Sequence, residues 1–384
     1  MANRFIFRKK SRVRYFDYTM LLTLIILLVF GLVMLYSVSS YDGSVQFNDP
    51  AYYLRKQAIS TVLGLAVMFG VMMVPYHFFE RLAGWAYVIA LALLGLVIKF
   101  GVMKNGAKRW IYVFGISIQP AEIAKLAIIL MVSYIAVRLG KQIATWKGFL
   151  ITMGVSLPMV AAIYFITSNL SSAIIVFGIT FLMCFVASPD YLKFILMTLV
   201  IVAVAAAVVY FIATHPDSDL GVRSTRILIW LDPEKYASGK GYQTLQALYA
   251  IGSGGIFGKG IGQSMQKLGF LPEAQNDMIF SIICEELGFF GGLCVIALFL
   301  LLLWRCVLTA NSAKDMYGAL LTVGFIGHIA IQVILNIAVV TNTIPNTGIS
   351  LPFISYGGSS VVSLLFEVGL VFSVQRSIMI KDYV

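Results

Sequence analysis

Four carboxylates stand within FLPEAQNDMIFSIICEELG, residues 270–288: Glu273, Asp277, Glu285 and Glu286. Carboxylates are the common material of general acid and base chemistry, in which one side chain takes or gives a proton in the transition state. Their setting is apolar, since the chain is 60% hydrophobic and only 12% charged. Pro272 and Asn276 suit a helix start, which places Asp277 in the first turn, where the macrodipole favours negative charge. That alone would suit a surface residue. At 100° per residue, Ser281, Cys284 and Gly288 stay within about 40° of Asp277, while Glu285 lies about 80° away and Glu286 opposite. The two glutamates therefore cannot share one environment. Glu285 can reach the Asp277 side, whereas Glu286 is expected to pack against another helix or pair with a loop base.

A second set lies in QPAEIAKLAIIL, where Pro120 starts a helix and Glu122 and Lys125, three residues apart, are neighbours on one face. An unpaired charge within a span costs roughly 2.5–3.5 kcal/mol, so the two should pair. They form either a structural ion pair or the lining of a polar cavity that orients a substrate. Basic residues gather in two other segments, Lys104, Lys108 and Arg109 in one and Arg223, Arg226, Lys235, Lys240, Lys259 and Lys267 in the other. They suit a cleft for an anionic substrate delivered by the membrane, although long loops cross membranes whatever their charge. GSGGIFGKGIG invites a phosphate-loop reading and fails it, with Ser253 where glycine is required and Gly260 where Ser or Thr should follow the lysine. A structural turn is the default. Cys184, Cys284, Cys294 and Cys306 sit in or beside apolar runs as packing residues, and His77, His215 and His328 match no metal spacing.

The elements that must position these residues are membrane helices. Mean hydropathy is +0.92, and apolar runs near bilayer length recur at 18–38, 57–74, 83–101, 120–139, 148–166, 170–187, 193–213, 277–303, 317–340 and 359–375. The chain is thus expected to be all-α, a single polytopic domain over 1–384 with about ten spans and one long loop, 214–276, between the seventh and eighth. Six basic residues within 1–17 (Arg4, Arg8, Lys9, Lys10, Arg12, Arg14) face one acid, Asp17. The positive-inside rule then puts both termini in the cytoplasm and the long loop outside. The net charge of +11 is spread over loops and points to anionic lipid or an anionic substrate, not nucleic acid.

Four stretches in order, KRW with QPAEIAK, GYQTLQALYAIGSGGIFGKGIG, KLGFLPEAQNDMIFSIICEELG and PNTGISLPFISYGGSS, resemble the shape, elongation, division and sporulation family of bacterial cell-wall polymerases, the RodA, FtsW and SpoVE type. The likeness covers essentially the whole chain. It implies a peptidoglycan glycosyltransferase of the bacterial cytoplasmic membrane that polymerises lipid II at the outer face and releases undecaprenyl pyrophosphate. The family's catalytic aspartate maps to Asp277, its Glu and Lys to Glu122 and Lys125, and its Arg-Trp to Arg109 and Trp110. A class B penicillin-binding transpeptidase is the implied partner.

The chemistry that suits both readings is inverting glycosyl transfer by one general base, Asp277, with Glu273 and Glu285 supporting it. Lys108, Arg109, Arg223, Arg226 and Lys259 would offset the pyrophosphate. A divalent cation, Mg or Mn, is a further source of that charge, with no ligands readable. Rival readings are a lipid II flippase and a membrane scaffold for wall enzymes. Three departures from the family pattern stand out: Asn169 where aspartate is common, QNDMIF in place of a frequent His-Thr-Asp-Phe, and Asn346 where an aliphatic residue or threonine is usual.

Overall fold

Hydropathy and structure agree on the number of spans. The computed structural model describes residues 13, 14, 16–104, 107–113, 116–215, 222–239 and 241–380. Of the basic residues named above, Arg4, Arg8, Lys9, Lys10, Arg12 and Lys240 lie outside the described residues, as do the side chains of Arg14, Lys104 and Arg223. The helices in chain order are α1 (Tyr18–Phe47), α2 (Tyr52–Met73), α3 (His77–Phe100), α4 (Pro120–Leu139), α5 (Trp146–Thr167), α6 (Leu170–Ala187), α7 (Leu192–Thr214), α8 (Val222–Leu231), α9 (Tyr242–Gly254), α10 (Ile279–Asn311), α11 (Met316–Val340) and α12 (Gly358–Gln375). Among the described residues ten of these are long and apolar enough to cross a membrane; the short α8 and α9 lie in the long loop. The chain is a multi-pass membrane protein.

The core has two halves. Met20, Leu24, Phe299 and Phe372 anchor one, around α1, α10 and α12. Ala90, Ile128, Val176 and Ile179 anchor the other, around α3, α4 and α6, and α11 contributes to both. α7 stands apart, burying only Lys193, Phe194 and Ile212. At the helix ends away from Asp277, Asp17 caps α1 by accepting from the Met20 N–H at 3.0 Å and pairs with Arg305 Nε at 2.7 Å, tying α1 to α10.

The segment after α3 is a small antiparallel sheet, with strands β1 (Val102–Lys104), β2 (Ala107–Val113) and β3 (Ile116–Ile118) in that order. Strand alternation turns Arg109 to the same side as the buried Ile111, while Lys108 and Trp110 take the other face. Lys108 is exposed there and Trp110 half-buried opposite Val102.

The glycine-rich stretch, a structural turn by default, is a docking element. α10 is broken at Gly288 (φ 69°, ψ −166°), and the chain after α9 lies against the break. Lys259 N–H donates to Glu285 O at 3.0 Å, Gly260 N–H to Glu286 O at 2.9 Å, and Phe289 N–H to Gly255 O at 2.9 Å. These bonds use backbone groups that a broken helix would leave unpaired in a medium without water. The two backbones meet at Gly258, where an added Cβ would lie 2.2 Å from Glu286 O and 2.5 Å from Gly288 N, at φ 79°. Gly258→Ala should therefore destabilise the protein by at least the roughly 1–3 kcal/mol of a strained backbone site. Gly252→Ala, which meets nothing within 4 Å, should leave the thermal unfolding transition in place, and equal transitions for the two variants would refute the docking.

Candidate active site

Asp277 does not lie in the first turn of α10, as the sequence suggests, but before it. Pro272 and Glu273, the latter at φ 56°, turn the chain, and Met278 is the residue that opens the helix. The Asp277 carbonyl is taken by a side chain from another helix: Asn336 Nδ2 donates to it at 2.8 Å and to Ile349 O at 2.6 Å. One amide thus pins Asp277 to the loop after α11. Gly348 of that loop, at φ 69°, lies close enough that a Cβ there would be 3.6 Å from Asp277 Oδ2. The other oxygen, Oδ1, is a buried acceptor with no hydrogen-bond partner.

The charges around Asp277 come from the long loop. Arg226 and Trp230, four residues apart and so on one face of α8, dock on the same turn: Arg226 Nη1 donates to Asn346 O at 3.1 Å and Trp230 Nε1 to Asn342 O at 3.0 Å. Asn346 also donates to Gln243 of α9 at 3.1 Å and accepts from the Gly348 N–H at 3.0 Å, so the unusual residue here is the clasp of the turn. Burial pushes the Asp277 carboxyl up to about 7; its own backbone N–H opposes this, Glu273 adds to it, and Arg226 opposes it. Glu273 is held by Asn276, which donates to its carboxylate.

Arg109 extends the site. It donates to Ser168 O at 3.2 Å, its Nε is buried without a hydrogen-bond partner, and burial together with Arg226 lowers its pKa. Beyond Ser168, Asn169 caps α6 by accepting from the Ser172 N–H at 3.1 Å, a task aspartate does equally well. Ser171 donates to Thr347 O, and Thr347 Oγ1 is a further buried hydroxyl without a partner. Asp277, Arg226, Arg109 and Thr347 therefore make a connected group with polar valences to spare.

Other expected residues lie elsewhere. The Glu285 carboxylate is held by the docked loop, accepting from Lys259 Nζ at 2.8 Å, the Met265 N–H at 3.2 Å and Ser264, and by Ser253 at the end of α9 at 3.5 Å. It does not reach the Asp277 side, because a fully buried carboxylate takes the nearest ammonium, and Lys259 is thereby engaged in holding the loop. Glu286 pairs with a loop base as expected, Lys267 at 2.8 Å, and accepts from Ser37 at 2.8 and 2.9 Å. Glu122 and Lys125 form their pair at 2.7 Å deep in the bundle, where Ser360 donates to Glu122 at 3.2 Å and Lys125 lies 3.4 Å from Gln332 Oε1.

Gln332 and Asn336 escaped the sequence reading, and His328 was weighed there only as a metal ligand. His328, Gln332 and Asn336 recur every four residues in HIAIQVILN, one polar stripe on α11. His328 Nδ1 lies 2.8 Å from Glu367 Oε2, Gln332 donates to Ser350 O at 2.9 Å and meets Lys125, and Asn336 holds Asp277. Polar side chains at period four in an apolar span were the available signal.

Comparison with known proteins gives matches over nearly the whole chain. Residues 18–379 match the family described as cell cycle proteins of the FtsW, RodA and SpoVE type. Stage V sporulation protein E of Bacillus subtilis is 38% identical over 94% of this chain and 97% of its own length. A probable peptidoglycan glycosyltransferase FtsW of Trichlorobacter lovleyi is 35% identical over 97% and 96%. A solved chain from work on coordinated polymerization and crosslinking by a peptidoglycan synthase complex superposes with a TM-score of 0.77 at 28% identity, covering 94% of this chain and 98% of that one. Rod shape determining protein RodA of Thermus thermophilus gives 0.66 at 26%, covering 94% and 97%.

Lys125→Met should lower stability by roughly 3–5 kcal/mol by stranding Glu122, and adding Glu122→Gln should recover part of the loss. Thermal unfolding of the single and double variants reads this directly. A single variant as stable as the parent would show that the pair carries no structural charge.

Proposed function

The chain belongs to the FtsW, RodA and SpoVE family of cell cycle proteins and is a peptidoglycan glycosyltransferase, and from that premise we propose that it polymerises lipid II with Asp277 as general base. The observation that carries the assignment is the free Oδ1 of Asp277, a buried acceptor beside Arg226 on a carboxyl whose pKa is near 7. A base poised near the working pH is the most effective kind.

In the proposed step the acceptor's GlcNAc 4-hydroxyl attacks the anomeric carbon of the donor. A glycosidic C–O bond forms, the bond to the lipid pyrophosphate breaks with inversion, and the hydroxyl proton passes to Asp277. Arg226 and Arg109 offset the charge on the departing pyrophosphate. In this reading the unpartnered Thr347 hydroxyl and the open Gly348 backbone next to Asp277 would receive the sugar. The described residues hold no group of three or more His, Cys, Asp or Glu side chains arranged to hold a metal ion. A magnesium or manganese ion would be held by Glu273 and the substrate's own phosphates, leaving Asp277 to the proton, and would supply further positive charge there.

Charge and kinship support an orientation and a partner. The short connections and helix ends opposite Asp277 carry Arg81, Arg138, Lys141, Lys147, Arg305 and Arg376, which under the positive-inside rule favours a cytoplasmic location for that end and an outward-facing Asp277. The relationship to a chain of a peptidoglycan synthase complex that polymerises and crosslinks supports a class B penicillin-binding transpeptidase as partner.

Polymerisation of lipid II by the purified protein, followed as glycan strands against pH, tests the base. Only ionised Asp277 accepts a proton, so activity should rise as pH rises through about 7. Arg226 favours the ionised form, so Arg226→Gln should move the rise to higher pH; Glu273 disfavours it, so Glu273→Gln should move the rise lower. Asp277→Asn should lose roughly 100-fold or more. Near-normal strands from Asp277→Asn would sink the assignment and favour a transporter or scaffold.

A further inference from the structure

The helix ends opposite Asp277 border an open groove of about 710 Å³ between α3 and α4 that polymerisation does not use. Its α3 wall is one helical stripe, with Glu80 and Arg81 at the end of the span, Gly84 and Trp85 one turn deeper, and Val88 deeper still. Tyr134 and Arg138 form the α4 wall, with the Arg138 guanidinium 5.0 Å from the centre of the Tyr134 ring. His77, at the mouth, is taken by Asp315 at 3.0 Å. Glu80, Arg81 and Arg138 form no ion pair among the described residues, leaving two positive charges and one negative around the opening. Space is left open above Gly84, where an added Cβ would meet nothing within 4 Å.

A ligand that completes this groove carries one negative charge and a hydrogen-bond donor at its outer end and an apolar segment along the stripe. We propose that the groove binds a glycerophospholipid of the leaflet on that side. Its phosphodiester sits on Arg81 and Arg138, a headgroup donor on Glu80, and the start of one acyl chain over Gly84 against Trp85 and Val88. One phosphodiester gives both arginines an anionic partner, and the planar guanidinium groups suit its oxygens. α3 starts at His77 and has 24 residues, about 36 Å, so its first turns reach headgroup level in a bilayer with a core of about 30 Å. The seated lipid would bridge α3 to α4, the helix that carries Glu122 and Lys125.

Free phosphate shares the charge chemistry but cannot use the space over Gly84, and the test separates the two. Full-length protein in detergent is titrated with dioleoyl phosphatidylglycerol, with dioleoylglycerol, which lacks the phosphate, and with sn-glycerol 3-phosphate, which lacks the chains; bound copies are counted by native mass spectrometry. Phosphatidylglycerol should bind well above the other two. Arg81→Gln with Arg138→Gln should weaken it roughly 30-fold, at about 1 kcal/mol for each arginine near the surface. Gly84→Leu fills the open space without touching a charge, and should weaken phosphatidylglycerol about tenfold or more. Equal binding of dioleoylglycerol, unchanged phosphatidylglycerol binding in Gly84→Leu, or glycerol phosphate binding as tightly as the lipid would each overturn the proposal. Because the readout is lipid binding, these results are independent of the role of Asp277.

Discussion

A carboxylate inside a bilayer must be matched by a partner on the protein, and the architecture follows from how each is matched. Left alone, such a group costs roughly 2.5–3.5 kcal/mol or more. Glu122 has Lys125 and Ser360, Glu285 has Lys259 and Ser264, Glu286 has Lys267 and Ser37, and Glu367 has His328. Each match joins segments distant in sequence, or fixes a helix against a loop. Asp277, just outside the apolar span, is the exception: its Oδ1 is buried and unmatched.

The matched carboxylates hold the unmatched one in place. Glu285 and Glu286 fasten the loop 253–267 to α10 while the backbone at Gly258 seals the break at Gly288. That fixes the helix whose entrance carries Asp277. On the other side, the stripe of His328, Gln332 and Asn336 runs along α11 from the Glu367 contact, past the Glu122–Lys125 pair, to the carbonyls of Asp277 and Ile349. A substitution at Lys125 can therefore disturb catalysis without touching substrate, through Gln332 and the Ser350 loop. The short α8 then holds Arg226 on the turn beside the site.

Hydropathy was sufficient for the ten spans because length and apolarity are properties of a segment by itself. Glu122 and Lys125 were readable as a pair because both lie on one helix at i,i+3. The partner of Glu286 was readable in kind but not by name, because tertiary folding alone decides which loop lysine arrives. Glu285 misled, since helical angle predicts which face a side chain leaves from and not that Lys259 would be fastened opposite it. The start of α10 misled too: an apolar run from Asp277 looks helical, but the turn at Pro272 and Glu273 and the capture of the Asp277 carbonyl by Asn336 delay the helix to Ile279.

The central claim is that Asp277 offers a buried carboxyl oxygen free to exchange a proton near neutrality. Infrared difference spectroscopy of the purified protein, following the carboxyl C=O stretch against pH, measures this without substrate. The account predicts a carboxyl band that titrates at about 7 in the parent and in Glu122→Gln and is missing from Asp277→Asn. A band that survives in Asp277→Asn, or an Asp277 signal that titrates in the ordinary carboxylate range near pH 4, would contradict it.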